Sequence, residues 1–387
     1  MAAQLMRADC KYQIRQATIR DWPRIKAFID RTYGTEAPFK QRARWEWQFR
    51  HAPYDRAGDA DAVPVWIALH GEEVVGQIAL QPGLLWLGGD PVPAGWIVDV
   101  MVDPRHRGEG LSHRINDAIV TTGRTLVTLT MAVATRRIME RAGCVTLPPV
   151  RQMVRPGRVS GTTIAALLER IAGNRTAWRD PVRLFVRSRI GPAALAGGIS
   201  AAAAAARLGR PKRSDARLRE VAAPDAEAVD RLAARLVART GASFDRGRDF
   251  FAWRFAAAPD LDYRYAELPG DAGARALLVW RLPLPVELPV GTIVELLCDP
   301  DDSAAIGAAI DHALDAMRDG CEAIVAGASD PRFIREYAAR GFVTVKTHRP
   351  TVVSTDSALL ERIAKNPGPW HFSKADHDWD QVHPATH

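Results

Sequence analysis

DPRHRGEGLSHRI (103–115) comes straight off the apolar run WIVDVMV (96–102), and this junction decides how the rest of the chain is read. A strand that ends in a glycine-containing turn and restarts as a helix aims several unpaired backbone N–H groups in one direction. Gly108 and Gly110 let a ligand approach the main chain with no Cβ in the way. The helix dipole, with Arg105, His106 and Arg107 beside it, adds positive potential. Such a turn is suited to phosphate. It differs from the dinucleotide fingerprint, because the next position that would need glycine is His113, and it lacks the Gly-Lys-Ser/Thr of a P-loop.

Working outward, period and punctuation give a strand at 12–17, an amphipathic helix at 18–34 and a second helix at 39–51. A hairpin follows, 63–70 and 74–87, turning on Gly-Glu-Glu, and then the strand 96–102. The turn leads into a helix at 111–123, a strand at 126–134 and a helix at 136–143. This β-α-α-β-β-β-α-β-α order predicts a mixed sheet with helices on both faces.

The pattern occurs twice. IVDVMVDP (97–104) aligns with IVELLCDP (293–300), which matches Asp99 to Glu295. WQFRHAP (47–53) aligns with WRFAAAP (253–259), and MERAGC (139–144) with EYAARGF (336–342). Three matches in one order imply two copies of one fold. The expected domains are 12–155 and 215–355, joined by an Arg/Ala-rich helical linker at 156–214 and followed by a tail at 356–387.

Composition narrows the class. With 47% hydrophobic and 25% charged residues the chain reads as globular, and its net charge of +7 favours anionic partners. Cys10, Cys144, Cys298 and Cys321 are far apart with no CxxC spacing, so reduced thiols in the cytoplasm are the simpler expectation. The first residues are too polar for a secretory signal. The stretch IGPAALAGGISAAAAAARLG (190–209) is weakly hydrophobic and flanked by arginines; a peripheral contact with anionic lipid is compatible with it, but a connector with solvated arginines is the preferred reading. No nucleic-acid partner is expected, since the basic residues lack aromatic interleaving. The tail contains His371, Asp376, His377, Asp378 and Asp380 without regular ligand spacing, so we read it as architecture and expect no metal.

Arg105-x-x-Gly108-x-Gly110, with the strand before it and the helix after it, resembles the pyrophosphate loop of the GNAT acyltransferase superfamily, whose pattern is [RQ]xxGx[GA]. The resemblance covers roughly residues 12–150, with a weaker echo at 217–352. It implies an α/β protein of two tandem GNAT-like domains, each a mixed sheet with helices on both faces. It also implies acetyl-CoA or another acyl-CoA as co-substrate. The pyrophosphate would lie on the N–H groups of His106, Arg107, Gly108, Glu109, Gly110, Leu111 and Ser112, beside Arg105, with the thioester near Met101 and Val102. The implied activity is N-acyl transfer, most simply of acetyl to the amine of a small molecule or an amino sugar.

Such transfer needs a proton acceptor for the amine and a donor for the leaving thiolate. Asp99, on the strand before the turn, is the candidate acceptor, and the family assigns an acidic residue there that role in many members; a hydrogen-bonded structural acid is the other reading. The family commonly places the acid, a tyrosine, four residues before the glycine of the last helix. The first copy has Met139 there, and the second has Tyr337. The second copy has lost the loop, with Asp301, Ala304 and Ile306 at the positions of Arg105, Gly108 and Gly110, so acyl-CoA is expected in the first copy alone. A non-catalytic acyl-CoA-binding module and a FemAB-like aminoacyl transferase are the alternatives.

Overall fold

The computed structural model describes residues 11–33, 40–54, 61–129, 136, 139–141, 143–173, 179–188, 190–205, 216–271, 273–285, 287–366 and 368–380. Cys10, the arginines and lysine at 189 and 207–213, and residues 130–134 of the strand expected at 126–134 lie outside the described residues. The chain forms two compact units. The first comprises Met1–Leu85, Pro91–Leu147 and Arg349–Asn366; the second comprises Trp86–Asp90, Pro148–His348 and Pro367–His387.

In the first unit the strands β1 (Gln13–Thr18), β2 (Ala62–His70) and β3 (Glu73–Leu87) pair antiparallel, with Gly71 at φ +59 in the β2–β3 turn. Beside β3 lies β4 (Asp90–Val102), then β5 (Thr125–Thr128), β15 (Thr351–Val353) and β6 (Val145–Thr146). β2 and β3 are buried along almost their whole length, as a sheet covered on both faces requires. The helices are α1 (Trp22–Tyr33), α2 (Arg42–Phe49) and α3 (Leu111–Val120). Leu111, Ile115 and Ile119 of α3 recur at helical spacing and pack with Ile78, Leu80 and Ile97 of the sheet. Met139 is sealed in the same apolar cluster.

In the second unit the sheet order is β14 (Val343–His348), β7 (Val150–Pro156), β13 (Ala323–Ala328), β12 (Val290–Cys298), β11 (Ala276–Arg281), β10 (Arg264–Leu268) and β8 (Arg219–Val221). Helix Ser303–Ala316 packs on it through Ala305, Ile306, Ala309 and Ala313. A short parallel pairing joins β9 (Ala242–Phe244) to β16 (Trp370–His371). The segment expected as a helical linker contains helices Gly161–Gly173, Arg179–Arg187 and Ile190–Ala205, and it belongs to this unit.

The two units do not follow a linear cut at 155 and 355. β7, which ends the first sequence copy, lies between β13 and β14, antiparallel to both. β15, which ends the second copy, lies between β5 and β6. Each copy therefore gives a strand to the other's sheet. Backbone pairing between segments nearly two hundred residues apart satisfies the same N–H and C=O groups as local pairing would, so the composition of these strands carries no trace of the exchange.

Candidate functional site

The turn is built from its acid outward. Asp103, buried after β4, caps the short 3-10 turn Pro104–His106 by accepting from Arg105 N at 2.9 Å. The Arg105 guanidinium returns to the same carboxylate at 2.8 Å and reaches Glu73 at 3.0 Å, while Arg31 contacts Glu73 at 2.9 Å. These bonds, above all those from Arg105, hold the Asp103 carboxyl at about 2. Two arginines thus meet two carboxylates, and their charges cancel. The expected contribution of Arg105 to a positive field is corrected by this arrangement: its side chain clamps the turn to the β2–β3 hairpin. His106 is also engaged, through Nδ1 with the Tyr12 hydroxyl at 2.9 Å and by ring contact with His70. Lys11 pairs with Glu109 at 2.9 Å. Arg107 is exposed and makes no ion pair among the described residues.

Main-chain bonding sharpens the expected cradle. His106 N and Arg107 N are used inside the turn, on Asp103 O and Pro104 O. From Gly108 to Ser112 the N–H groups meet no acceptor among the described residues, and His113 and Arg114 turn back to Gly110 O. Gly108 at φ +85 and Gly110 at φ +72 adopt the left-handed region, and neither has a heavy atom within 4 Å of the place a Cβ would take. Gly110 is the N-cap of α3, so this run of donors coincides with the positive end of a ten-residue helix.

Upstream, β4 and β5 pair in parallel through Ala94–Trp96 and Thr125–Val127 alone among the described residues, and β4 continues beyond that point to Val102. Asp99 sits in this continuation at φ +51. Ile97 faces the cluster under α3, and strict alternation would send Asp99 to the same side. Its left-handed backbone breaks the alternation, and the carboxylate instead pairs with Lys40, which precedes α2. Both side chains are about nine-tenths buried, Lys40 at 9% and Asp99 at 7% exposure. Gln48 of α2 donates to Gln81 of β3 at 3.3 Å, and Gln77 is buried on the same strand. Lys40 is the residue that sequence reading missed. Met101 is buried, Val102 half-buried, and Val100 between them and Asp99 is exposed.

The second unit treats the matching positions differently. Asp302 is the N-cap of Ser303–Ala316, accepts from Ala305 N at 3.0 Å and is clamped by Arg275 at 2.8 Å. Asp301 pairs with Arg332 at 2.7 Å. Glu295, the counterpart of Asp99, accepts from Arg246 at 2.5 Å, Ser373 at 2.7 Å and its neighbour Leu296 N at 2.9 Å, and contacts His371 at 3.2 Å. Burial would raise its carboxyl, but the Arg246 guanidinium and these donors outweigh burial and hold it below the ordinary range.

The tail supplies much of this. Asp376 takes a second bond from Arg246 at 2.5 Å, Asp380 pairs with Arg254 and accepts from the Tyr263 hydroxyl at 2.6 Å, and Asp378 pairs with His377. Ser329, just past β13, bonds Trp370 O and Phe372 N, and the Trp379 ring lies against Gly327. β12 and β13 are parallel-paired at Val290–Thr292 and Ala323–Val325, so the residues past that pairing are covered by the chain's own tail. Tyr337 is placed in the apolar core of this unit at 3% exposure, packed on Phe342, and burial pushes its hydroxyl far above the ordinary range. It faces no open surface there, and we do not carry it forward as a proton donor.

Residues 13–144 match the family model described as Acetyltransferase (GNAT) domain. Among solved structures, the chain is similar to a GCN5-related N-acetyltransferase from Anabaena variabilis, at 11% identity and TM-score 0.55, covering 88% of this chain and 72% of that one. A probable N-acyltransferase from Enterococcus faecalis aligns at 10% identity and TM-score 0.57, over 92% and 75%. Saccharomyces cerevisiae N-myristoyltransferase with bound myristoyl-CoA aligns at 13% identity and TM-score 0.55, over 90% and 84%. At these identities the likeness is one of fold. No curated protein sequence matches the chain.

Proposed function

We propose that this chain, whose residues 13–144 match a GNAT acetyltransferase domain, is an acyl-CoA-dependent N-acyltransferase whose co-substrate is held by the first unit. The observation that carries the reading is the run of five N–H groups from Gly108 to Ser112 that meet no acceptor among the described residues, in a turn with two left-handed glycines and open space over both. That donor set fits a pyrophosphate in number and electrostatic sign. Arg107, exposed beside it, adds a cation that no carboxylate neutralises among the described residues. The acyl-CoA supplies the activated thioester; the protein's part is to fix it and to prepare the amine.

An acceptor amine arrives protonated at neutral pH and attacks only after losing that proton. Asp99 is the proposed proton acceptor, directly or through one water, and Lys40 is its positioning partner. The Lys40 ammonium against the carboxylate fixes its rotamer and so its direction. We assign acetyl as the transferred group and a small-molecule amine as acceptor, as the simplest chemistry this site serves. The buried Asp99–Lys40 pair equally suits a module that binds acyl-CoA and does not turn it over, and turnover separates the two readings.

The test is calorimetric titration of the whole chain with acetyl-CoA and myristoyl-CoA, followed by thiol release with a panel of amines. Binding with amine-dependent thiol release supports transfer. Binding without release on any amine leaves the binding module, and failure of every thioester to bind overturns the proposal.

A further inference from the structure

The helices between β7 and β8 carry a surface that the acyl-transfer reading does not use. Residues 170–213 contain ten arginines and lysines and one acid, Asp180, a net charge of +9 against +7 for the whole chain. The excess positive charge of the protein is therefore concentrated in this stretch. The same stretch exposes large apolar side chains. Leu184 is 75% and Ile190 79% exposed, and Phe185 and Leu195 are exposed as well.

The local packing explains why these side chains stay outside. Helix Gly161–Gly173 and helix Ile190–Ala205 approach closely enough that a Cβ on Gly161 would stand 3.1 Å from Ala193 N, and Ile164 and Ala196 are buried. The pair is anchored by Ser160 N, which donates to Glu322 at 2.7 Å. Helix Arg179–Arg187 contributes Phe185, whose ring rests against Gly191. Its arginines Arg183 and Arg187, one turn apart, are exposed beside Leu184. Helix Ile190–Ala205 contains no charged residue and presents Leu195 to solvent. Exposed leucine and isoleucine rimmed by arginine do not belong to a solvated connector. No described helix is long and apolar enough to cross a membrane, so a bilayer contact here lies on the surface.

We propose that this face docks on an anionic phospholipid surface, with Leu184 and Ile190 entering the boundary between headgroups and acyl chains and Arg183 and Arg187 pairing with lipid phosphates. The argument is charge complementarity joined to exposed apolar area, the two features by which a helix lying in an interface is held. A protein partner would have to be both acidic and apolar at one face, whereas an anionic bilayer offers both everywhere. This reverses the preference for a solvated linker that the sequence alone supports, and it rests on exposure that the sequence does not display. It is independent of the acyl-transfer reading.

The test is flotation of the full chain with vesicles of phosphatidylcholine alone and with phosphatidylglycerol added, at low and high salt. Binding to the anionic vesicles, weakened by salt and much weaker on pure phosphatidylcholine, is the expected result. Replacing both arginines (Arg183→Gln, Arg187→Gln) should weaken it roughly thirty-fold, from the usual contribution of a basic residue at such a surface. Leu184→Asp with Ile190→Asp should abolish it. Unchanged circular dichroism and thermal midpoint in both variants would exclude misfolding as the cause. Failure to float with anionic vesicles at low salt would overturn the proposal, as would variants that bind like the parent. Self-association in the absence of vesicles, lost with Leu184→Asp and Ile190→Asp, would instead assign the face to a second copy of the chain.

Discussion

The helix that starts at Leu111 and the helix that starts at Ser303 follow matching strands, yet their N-termini have opposite chemistry. At the first, glycine is the cap and five N–H groups meet no acceptor among the described residues. At the second, Asp302 caps the helix from within and Arg275 neutralises Asp302. The acids on the preceding strands differ in the same way. Asp99 has one lysine as its ion partner, whereas Glu295 is surrounded by an arginine, a histidine, a serine and a backbone N–H. Where the first unit leaves donors for a ligand, the second fills the corresponding ground with its own residues 370–380. One fold has been used once to present charge-binding groups and once to satisfy them internally.

Changes that upset this division should differ in size. The largest effect should come from Arg246→Leu, which leaves the buried carboxylates of Glu295 and Asp376 without their shared cation. Breaking a buried pair in this way costs about 3–5 kcal/mol, readable as a large fall in the denaturant midpoint. If stability were unchanged, the tail would not be the structural element described above. Next is Asp99→Asn, expected to leave acyl-CoA affinity intact and to slow transfer by roughly a hundredfold, the usual scale of a lost general base. Full turnover would make Asp99 a structural acid like Glu295.

Asp302→Ala should be milder, about 1 kcal/mol for a lost cap. It should create no acyl-CoA binding in the second unit, because the tail remains in place; a new binding event in the titration would contradict that. A separate effect concerns pH. Burial lowers Lys374 to about 7 from 10.5, while Asp380 and the Trp379 ring at 4.1 Å oppose the shift. Between these values the unfolded chain binds a proton that the folded chain does not, so stability should climb as pH rises from about 7 toward 10. Lys374→Met should flatten that slope in a melting series, and an identical slope would remove Lys374 as its source.

Much of the site was legible in the sequence, because a strand, two closely spaced glycines and a helix start are local features. The loss of the loop in the second copy was legible for the same reason, through Asp301, Ala304 and Ile306. What escaped was non-local. Lys40 lies 59 residues from Asp99, in a stretch that reads only as a second helix. Arg105 looks like a phosphate ligand until Glu73 of the hairpin is placed beside it. The exchange of β7 and β15 leaves no mark on composition, since either sheet satisfies the backbone groups of a short strand. The tail's aspartates looked like scattered acids because Arg246, Arg254 and Tyr263, their partners, are more than a hundred residues upstream.

The central claim is that acyl-CoA is held by the turn at Gly108–Ser112 and by no equivalent in the second unit. Its most direct test is calorimetric titration of acetyl-CoA into two variants, Gly108→Val and Ala304→Val. A valine at φ +85 is strained and would put its side chain over the open donors, so Gly108→Val should give no binding heat. Ala304, exposed in the first turn of Ser303–Ala316, should accept valine with the parent's affinity. Equal loss in both variants, or undiminished binding in Gly108→Val, would contradict the account.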